Sequence, residues 1–329
     1  QNDQHGGQSV PNFDYGMAPG VKKTYKKLYL TNLGKMLDFL EDVEDGVDRM
    51  KALGAEIEEK HGVYPCMAWD NNYKELELEE LKKIVPEEEA RKMQDRATKF
   101  ADKEIRRKTY QAMEALIHNL NTMHSRAGAQ VPFSSINYGT DTSPEGRLVM
   151  ESVMLATEAG LGNGETPIFP IQIFKVKEGV SYNPEDPNYD LFKLACRVSA
   201  KRLFPNFSFL DAPFNKQYYV EGDPNTECAY MGCRTRVIGN VYDPTREIVT
   251  GRGNLSFTSI NLPRLAIKSK GDVDMFFESL DRMIDLAIDQ LNDRYKIQSQ
   301  KKVKNFPFLM WQGIWIDSDK LGPDDTIEE

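Results

Sequence analysis

Cysteine is scarce in this sequence, and the four present, Cys66, Cys196, Cys228 and Cys233, are not spaced as a framework. That excludes a small secreted fold stapled by disulfides. Only Cys228 and Cys233 lie close together, with no second pair nearby, so a zinc site is not expected and no metal is assigned. Cys66 and Cys196 each stand among apolar residues and are expected as unbridged, buried thiols. Basic residues are outnumbered: 42 Lys and Arg against 51 Asp and Glu give a formal net charge of −9. No nucleic-acid coat fits that balance, although a phosphorylated small molecule needs only a local site. No apolar run approaches the ~20 residues of a membrane span. The opening Gln1-Asn2-Asp3-Gln4-His5 carries neither a basic segment nor an apolar one after it. We expect a cytoplasmic protein, with no membrane and no nucleic-acid partner, and a piece of a longer chain.

What is present suits a globular protein with a sizeable core: 40% apolar, 28% charged and 10% aromatic residues. Two textures divide the chain near residue 128. Over residues 21–53, Tyr25, Leu28, Leu33, Met36, Leu37, Leu40, Val43, Val47 and Met50 recur at helical spacing. A short helix is predicted over 75–85. Pro86 followed by Glu87, Glu88 and Glu89 starts a longer one, with acids at the positive end of the dipole. It is predicted to run to Ser125, with Gly128 as its stop, roughly 60 Å in all. Helices this long are expected to bury their stripes against those of a second subunit. After residue 128, strands are predicted over 131–138, 167–176, 206–210, 255–262 and 306–316. Helices are predicted over 144–159, 190–202 and 273–294. The alternation predicts an α/β architecture with largely parallel strands.

Several segments invite a chemical reading. Thr226-Glu227-Cys228-Ala229-Tyr230-Met231-Gly232-Cys233-Arg234-Thr235 is either a loop with two incidental thiols or a functional turn at Gly232. Gly251-Arg252-Gly253-Asn254 is most simply a turn entering a strand. His124-Ser125-Arg126-Ala127-Gly128-Ala129-Gln130 is either a helix cap with a basic last turn or a mobile loop carrying a cation and an amide. Gly160-Leu161-Gly162-Asn163-Gly164 precedes a predicted strand instead of following one, so a dinucleotide fingerprint fails and a helix-to-strand turn is expected. The cluster Lys22, Lys23, Lys26, Lys27 and the cluster Lys103, Arg106, Arg107, Lys108 are solvated helix faces or phosphate contacts.

Taken in order, these segments resemble the anaerobic (class III) ribonucleoside-triphosphate reductases, a glycyl-radical family, from end to end. Tyr230-Met231-Gly232-Cys233-Arg234 is similar to the finger loop that threads the centre of a ten-stranded α/β barrel in that family. Gly251 to Arg264 resembles the strand that follows, and Gln4-His5-Gly6-Gly7-Gln8-Ser9 the entry into the dimer helices. The resemblance implies part of such a barrel over residues 129–329, with the finger loop at about 226–236. It implies long dimerisation and effector-binding helices over residues 1–128.

The resemblance also implies roles. Cys233 would carry the thiyl radical that takes the substrate's C3′ hydrogen, held by proximity and shielded by burial. Asn254 would hydrogen-bond the ribose, and Ser134 and Ser135 would line the substrate. Arg126 and Gln130 would pass the effector's identity to the pocket. Ribonucleoside triphosphates would be the substrates and deoxynucleoside triphosphates or ATP the effectors. A homodimer and a radical S-adenosylmethionine activase would be the partners, with formate or a thiol as reductant. The glycyl radical, a zinc site and a second catalytic cysteine are expected outside this chain, which would leave the piece inactive alone. An acyl-transferring enzyme of the pyruvate formate-lyase type stays open as an alternative, although those use two adjacent cysteines. A non-catalytic nucleotide-binding dimerisation module is the other.

Overall fold

A computed structural model describes residues 7–39, 45–69, 71–123, 131–217, 219–232, 235–237, 245, 249, 256–307, 310 and 320–328. The chain forms two compact units. The larger takes in residues 9–124 and 131–250. Its sheet begins with β1 (Gln8–Val10), and helices α1 (Phe13–Leu37), α2 (Gly46–His61), α3 (Tyr73–Leu81) and α4 (Glu87–Thr122) follow. Then come β2 (Ser134–Tyr138), α5 (Pro144–Ala159), β3 (Ile171–Val176), α6 (Tyr189–Arg202), β4 (Asn206–Phe209) and the short α7 (Pro213–Lys216). An antiparallel pair, β5 (Ala229–Met231) and β6 (Thr235–Val237), closes the unit.

The helical pattern expected as one stretch over 21–53 is two helices. The closing contact is made by glycine: a methyl group at Gly34 would stand 2.3 Å from the Cα of Val47, and one at Gly46 2.5 Å from the carbonyl of Gly34. Only a residue without Cβ lets the two backbones approach so closely. The first helix also starts earlier than expected, at Phe13, and contains Pro19.

The expectation that the long helices need a second subunit to cover their stripes is corrected in part. Val21, Tyr25, Tyr29, Leu33 and Leu37 of α1 share one buried core with Ala90, Met93, Ala97, Ala101, Ile105, Met113 and Ile117 of α4. The small residues at 90, 97 and 101 let α1 lie close, and Tyr25 donates its hydroxyl to Asp102 at 2.8 Å. At 36 residues α4 is roughly 54 Å long. It ends at Thr122, with Met123 extended, instead of running to Ser125. Both basic clusters lie on outward faces and pair in part with acids, Lys26 with Glu58 and Arg106 with Glu151.

The sheet has the order β1-β2-β3-β4, and β3 pairs parallel with both β2 and β4. Two βαβ crossovers, through α5 and α6, produce it, as the strand–helix alternation predicted. Strand parity divides its faces. Ile136, Tyr138, Phe174 and Val176 join the helical core, whereas Ser135, Asn137, Lys175 and Ser208 occupy the alternate positions. All six residues of β3 are buried, so the polar face is covered as well. The Gly160 segment is the expected helix-to-strand turn, with Gly160 at φ 84° ending α5. Cys66 is buried, but Cys196 is exposed. In α6 the buried positions are Leu191, Ala195 and Val198, and the helical period turns Cys196 away from them.

The smaller unit contains α8 (Leu262–Ser269) and α9 (Val273–Ser299). No strand forms over the described part of 255–262. Residues 256–258 are tied to α9 by side chains, Arg294 donating to the Ser256 hydroxyl and the Phe257 carbonyl, and Thr258 to Gln290. Asn261 accepts from the Arg264 N–H at 2.9 Å and Pro263 follows it, a helix start that overrides the strand pattern. The strand expected over 306–316 is also absent where described, since Met310 donates to the Phe306 carbonyl in a helical turn. No helix among the described residues is long and apolar enough to cross a membrane.

Candidate functional site

The polar face of the sheet carries the β5–β6 hairpin, whose register pairs Ala229 with Val237 and Met231 with Thr235. The hairpin is seated by side chains of β2. The Asn137 carboxamide is fully buried; it donates to the Tyr230 carbonyl at 2.8 Å and accepts from the Tyr230 N–H at 2.8 Å. Two residues earlier on the same face, the Ser135 hydroxyl accepts from the Gly232 N–H at 3.0 Å. Ser9 adds a third tie, donating to the Tyr230 carbonyl at 2.9 Å. Gly232 itself has φ 64°, the left-handed conformation that glycine adopts without strain.

Below the hairpin lies a buried ionic network. Lys175 donates to Asn12 Oδ1 at 2.6 Å and faces Glu227 Oε2 at 3.2 Å, with both charged side chains almost wholly buried. Thr140 donates to the same carboxylate oxygen at 2.7 Å. Lys177 stands 3.9 Å from the other oxygen and lies over the Tyr219 ring, 4.0 Å from its centroid. The Asn12 amide donates to the Pro224 carbonyl, holding the segment that leads into β5. Asp14, in the first turn of α1, accepts from the consecutive N–H groups of Gly139, Thr140 and Asp141 at 2.9, 3.1 and 3.1 Å. It therefore organises the loop after β2 as a bound anion would.

Burial governs protonation here. It pushes the Cys228 thiol up, against the opposing pull of Arg236 and Lys175. It raises the phenol of Tyr15 well above its usual range, with the Glu227 charge adding to the effect. The Tyr230 phenol is raised too, first by burial and then by Cys228. Cys228 thus stays a neutral thiol at physiological pH. It lines a cavity of about 270 Å³ together with Lys177, Leu210, Asn215, Tyr219 and Glu227, at the carboxyl ends of β3 and β4. Open parallel sheets bind ligands at that end.

Of the residues assigned from sequence, Ser134 and Ser135 are on β2, and the structure gives the Ser135 oxygen to the hairpin. Ser134 belongs to the opposite parity and its hydroxyl reaches the Pro132 carbonyl at 3.3 Å. Cys233, Asn254, Arg126 and Gln130 lie outside the described residues. Among the described residues, no group of three or more His, Cys, Asp or Glu side chains is placed to hold a metal. Sequence reasoning missed Asn12, Asp14, Asn137, Lys175 and Glu227. The signal was parity: Asn137 and Lys175 are polar residues at alternate positions of strands otherwise buried on both faces.

Fold and site together define an α/β protein that seats an antiparallel hairpin on the polar face of a parallel sheet, over a water-poor ionic network. The family model described as anaerobic ribonucleoside-triphosphate reductase matches residues 1–329, and the chain belongs to that family. It is 32% identical over 231 residues to the anaerobic ribonucleoside-triphosphate reductase of Escherichia coli, covering 70% of this chain and 31% of that protein. The Haemophilus influenzae protein of the same name is 33% identical over 215 residues, 65% of this chain and 29% of the relative. That of enterobacteria phage T4 is 32% identical over 238 residues, 71% of this chain and 38% of the relative. The chain thus spans about a third of the length of the curated relatives it matches. All three carry the reductase name, which does not favour the acyl-transferring alternative.

Proposed function

We propose that this chain forms part of an enzyme that reduces ribonucleoside triphosphates to deoxyribonucleoside triphosphates, with Cys233 as the thiol that takes the substrate's C3′ hydrogen. The observation that carries this reading is the seating of the strands that flank Cys233. Ser9, Ser135 and Asn137 tie Tyr230 and Gly232 to the sheet at distances between 2.8 and 3.0 Å. A hydrogen-abstracting sulfur needs a fixed position and a dry surrounding. The buried Asn137, Cys228 and Ala229 supply the second condition at the base of the hairpin. That environment fits a thiol that works by exchanging a hydrogen atom, since burial favours S–H over thiolate.

A glycyl radical held outside this chain supplies the oxidising equivalent. The chain's own residues position and shield: the Asn137 clamp fixes the hairpin, and the Lys175–Glu227 pair fixes its base. Asn254 contacts the ribose, and Ser135 lies on the substrate side of β2, the face opposite to that of Ser134. Arg126 and Gln130 relay the identity of a deoxynucleoside triphosphate or ATP effector. Residues 1–128 serve dimerisation and effector binding, and residues 129–329 build part of a ten-stranded barrel with its finger loop at about 226–236. Formate or a thiol is the reductant, a radical S-adenosylmethionine enzyme the activase, a zinc site lies elsewhere in the chain's full length, and the enzyme is cytoplasmic.

Serine tests the assignment because its O–H bond is too strong to yield a hydrogen atom to a glycyl radical. Cys233→Ser in the full-length enzyme is expected to retain folding, nucleotide binding and the electron paramagnetic resonance signal of the glycyl radical, yet form no deoxynucleotide. Cys228→Ser is expected to stay active. Turnover by Cys233→Ser, or equal loss in both variants, would overturn the reading.

A further inference from the structure

The hairpin tip is also touched from a direction that the seating side chains do not account for. Asn121, in the last turn of α4, holds the loop before β3 with both ends of its carboxamide. Its Oδ1 accepts from the Ile168 N–H at 2.8 Å and the Phe169 N–H at 3.1 Å, and its Nδ2 donates to the Phe169 carbonyl at 2.6 Å. The same Nδ2 donates to the Ile117 carbonyl at 2.7 Å, so the carboxamide is fixed to its own helix. The Phe169 ring meets Phe133 edge to face, with centroids 5.1 Å apart and planes at 62°. Phe133 in turn lies against Gly232: a methyl group there would stand 3.2 Å from Phe133 Cε1. Gly232 precedes Cys233 directly.

We propose that Asn121, Phe169 and Phe133 form a positioning relay that fixes the hairpin tip from the carboxyl end of α4. The proposal rests on the reading of Cys233 as the reacting thiol. Each link is a contact between groups with one good geometry. The carboxamide saturates three backbone groups of a two-residue stretch, which sets the Phe169 backbone relative to α4. The edge-to-face pair sets Phe133 relative to Phe169. Glycine in the left-handed conformation leaves the Phe133 ring room to approach the backbone, so the aromatic edge becomes the stop against which Gly232 rests. Ser135 holds the same N–H from the strand side. Gly232 is thus held between a hydrogen bond and an aromatic wall. A shift at the end of α4 moves that wall without acting through residues 124–130.

Variants of the full-length reductase test this. Phe133→Ala is expected to lower kcat by at least about tenfold on all four ribonucleotides, because displacement by a fraction of an ångström suffices to spoil hydrogen transfer. KM, effector binding and the glycyl radical signal should be little changed, and amide exchange at Gly232 should rise. Asn121→Ala should move kcat the same way. The double variant should be no worse than Phe133→Ala alone, as links of one relay do not add. Phe133→Leu keeps bulk and loses the edge contact, so it should fall between; it serves as the measure if Phe133→Ala does not fold. Normal kcat in the Phe133 variants, additive losses, or a change of substrate preference in place of a uniform loss would overturn the relay. Cys233→Ser run in parallel separates the two ideas. If it turns over, the thiol assignment fails; if it is dead while the Phe133 variants work normally, only the relay fails.

Discussion

The buried carboxamide of Asn137 stands in for a strand partner to Tyr230, matching its N–H and its C=O at 2.8 Å each. A side-chain amide has the donor and acceptor of a peptide group, so it can seat one residue of a hairpin without extending the sheet. Asn137→Ala leaves the Tyr230 N–H unpaired and its carbonyl with Ser9 only. We expect a loss of about 2–3 kcal/mol in unfolding free energy, the cost of stranding buried polar groups. Asn137→Asp keeps the acceptor but sets a carboxylate against the Tyr230 carbonyl. It should be the more damaging at pH 7 and recover on acidification. Urea denaturation at pH 5 and pH 7 checks both; an Asp variant as stable as the parent at pH 7 would contradict the pairing.

The Lys175–Glu227 pair is buried with 1% and 3% of its side-chain surfaces exposed. Breaking one partner leaves a stranded charge, which costs about 3–5 kcal/mol, whereas removing both charges costs far less. Lys175→Met should therefore be severely destabilised, and Lys175→Met with Glu227→Gln should regain most of the loss. A double-mutant cycle by chemical denaturation measures the coupling. Additive losses would show that Glu227 draws its support from Thr140 and Lys177 instead.

Gly139 ends β2 at φ 141°, and a methyl group there would stand 2.4 Å from the Lys175 carbonyl. The neighbour is backbone of the adjacent strand, so it cannot rotate aside. Gly139→Ala should cost at least about 2 kcal/mol and loosen the three N–H groups gathered on Asp14. Gly162→Ala, where nothing lies within 4 Å, is the control and should be close to neutral. Thermal unfolding of the two variants makes the comparison.

Strand–helix alternation made β2, β3 and β4 legible with their parallel pairing, because each strand carried enough β-branched and aromatic residues to set its period. Residues 255–262 misled because their apolar content suits a strand, while Asn261 and Pro263 act locally to start a helix. The break between α1 and α2 was hidden for the opposite reason. Periodicity continued through it, and the glycines at 34 and 46 that allow the backbones to touch have no side chain to register. Of the site, only the segment 226–235 stood out in the sequence, through its two cysteines and Gly232. Its supporting network joins Asn12, Asn137, Lys175 and Glu227 across more than two hundred residues of sequence, and only the topology brings them together.

Glu77 supplies a pH dependence unconnected with the hairpin. It is wholly buried among α1, α3 and α4, where its Oε2 accepts from Tyr29 at 2.6 Å and from Gln94 at 2.9 Å while Oε1 has no partner. Burial raises its carboxyl from 4.5 to about 7, opposed by the hydrogen bonds from Tyr29 and Gln94. Between those two values the folded chain keeps a proton that the unfolded chain has released. Stability from this group is therefore fully present below about pH 4.5, falls as pH rises towards 7, and is level above that, a change on the order of 3 kcal/mol. Glu77→Gln cannot ionise, but its amide nitrogen would be stranded where Oε1 lacks a partner, at a cost of about 1–3 kcal/mol. The variant should be the less stable protein at pH 5 and should equal or exceed its parent at pH 8. Unfolding free energies measured across that range should converge or cross; parallel profiles would mean that Glu77 is ionised in the folded chain throughout.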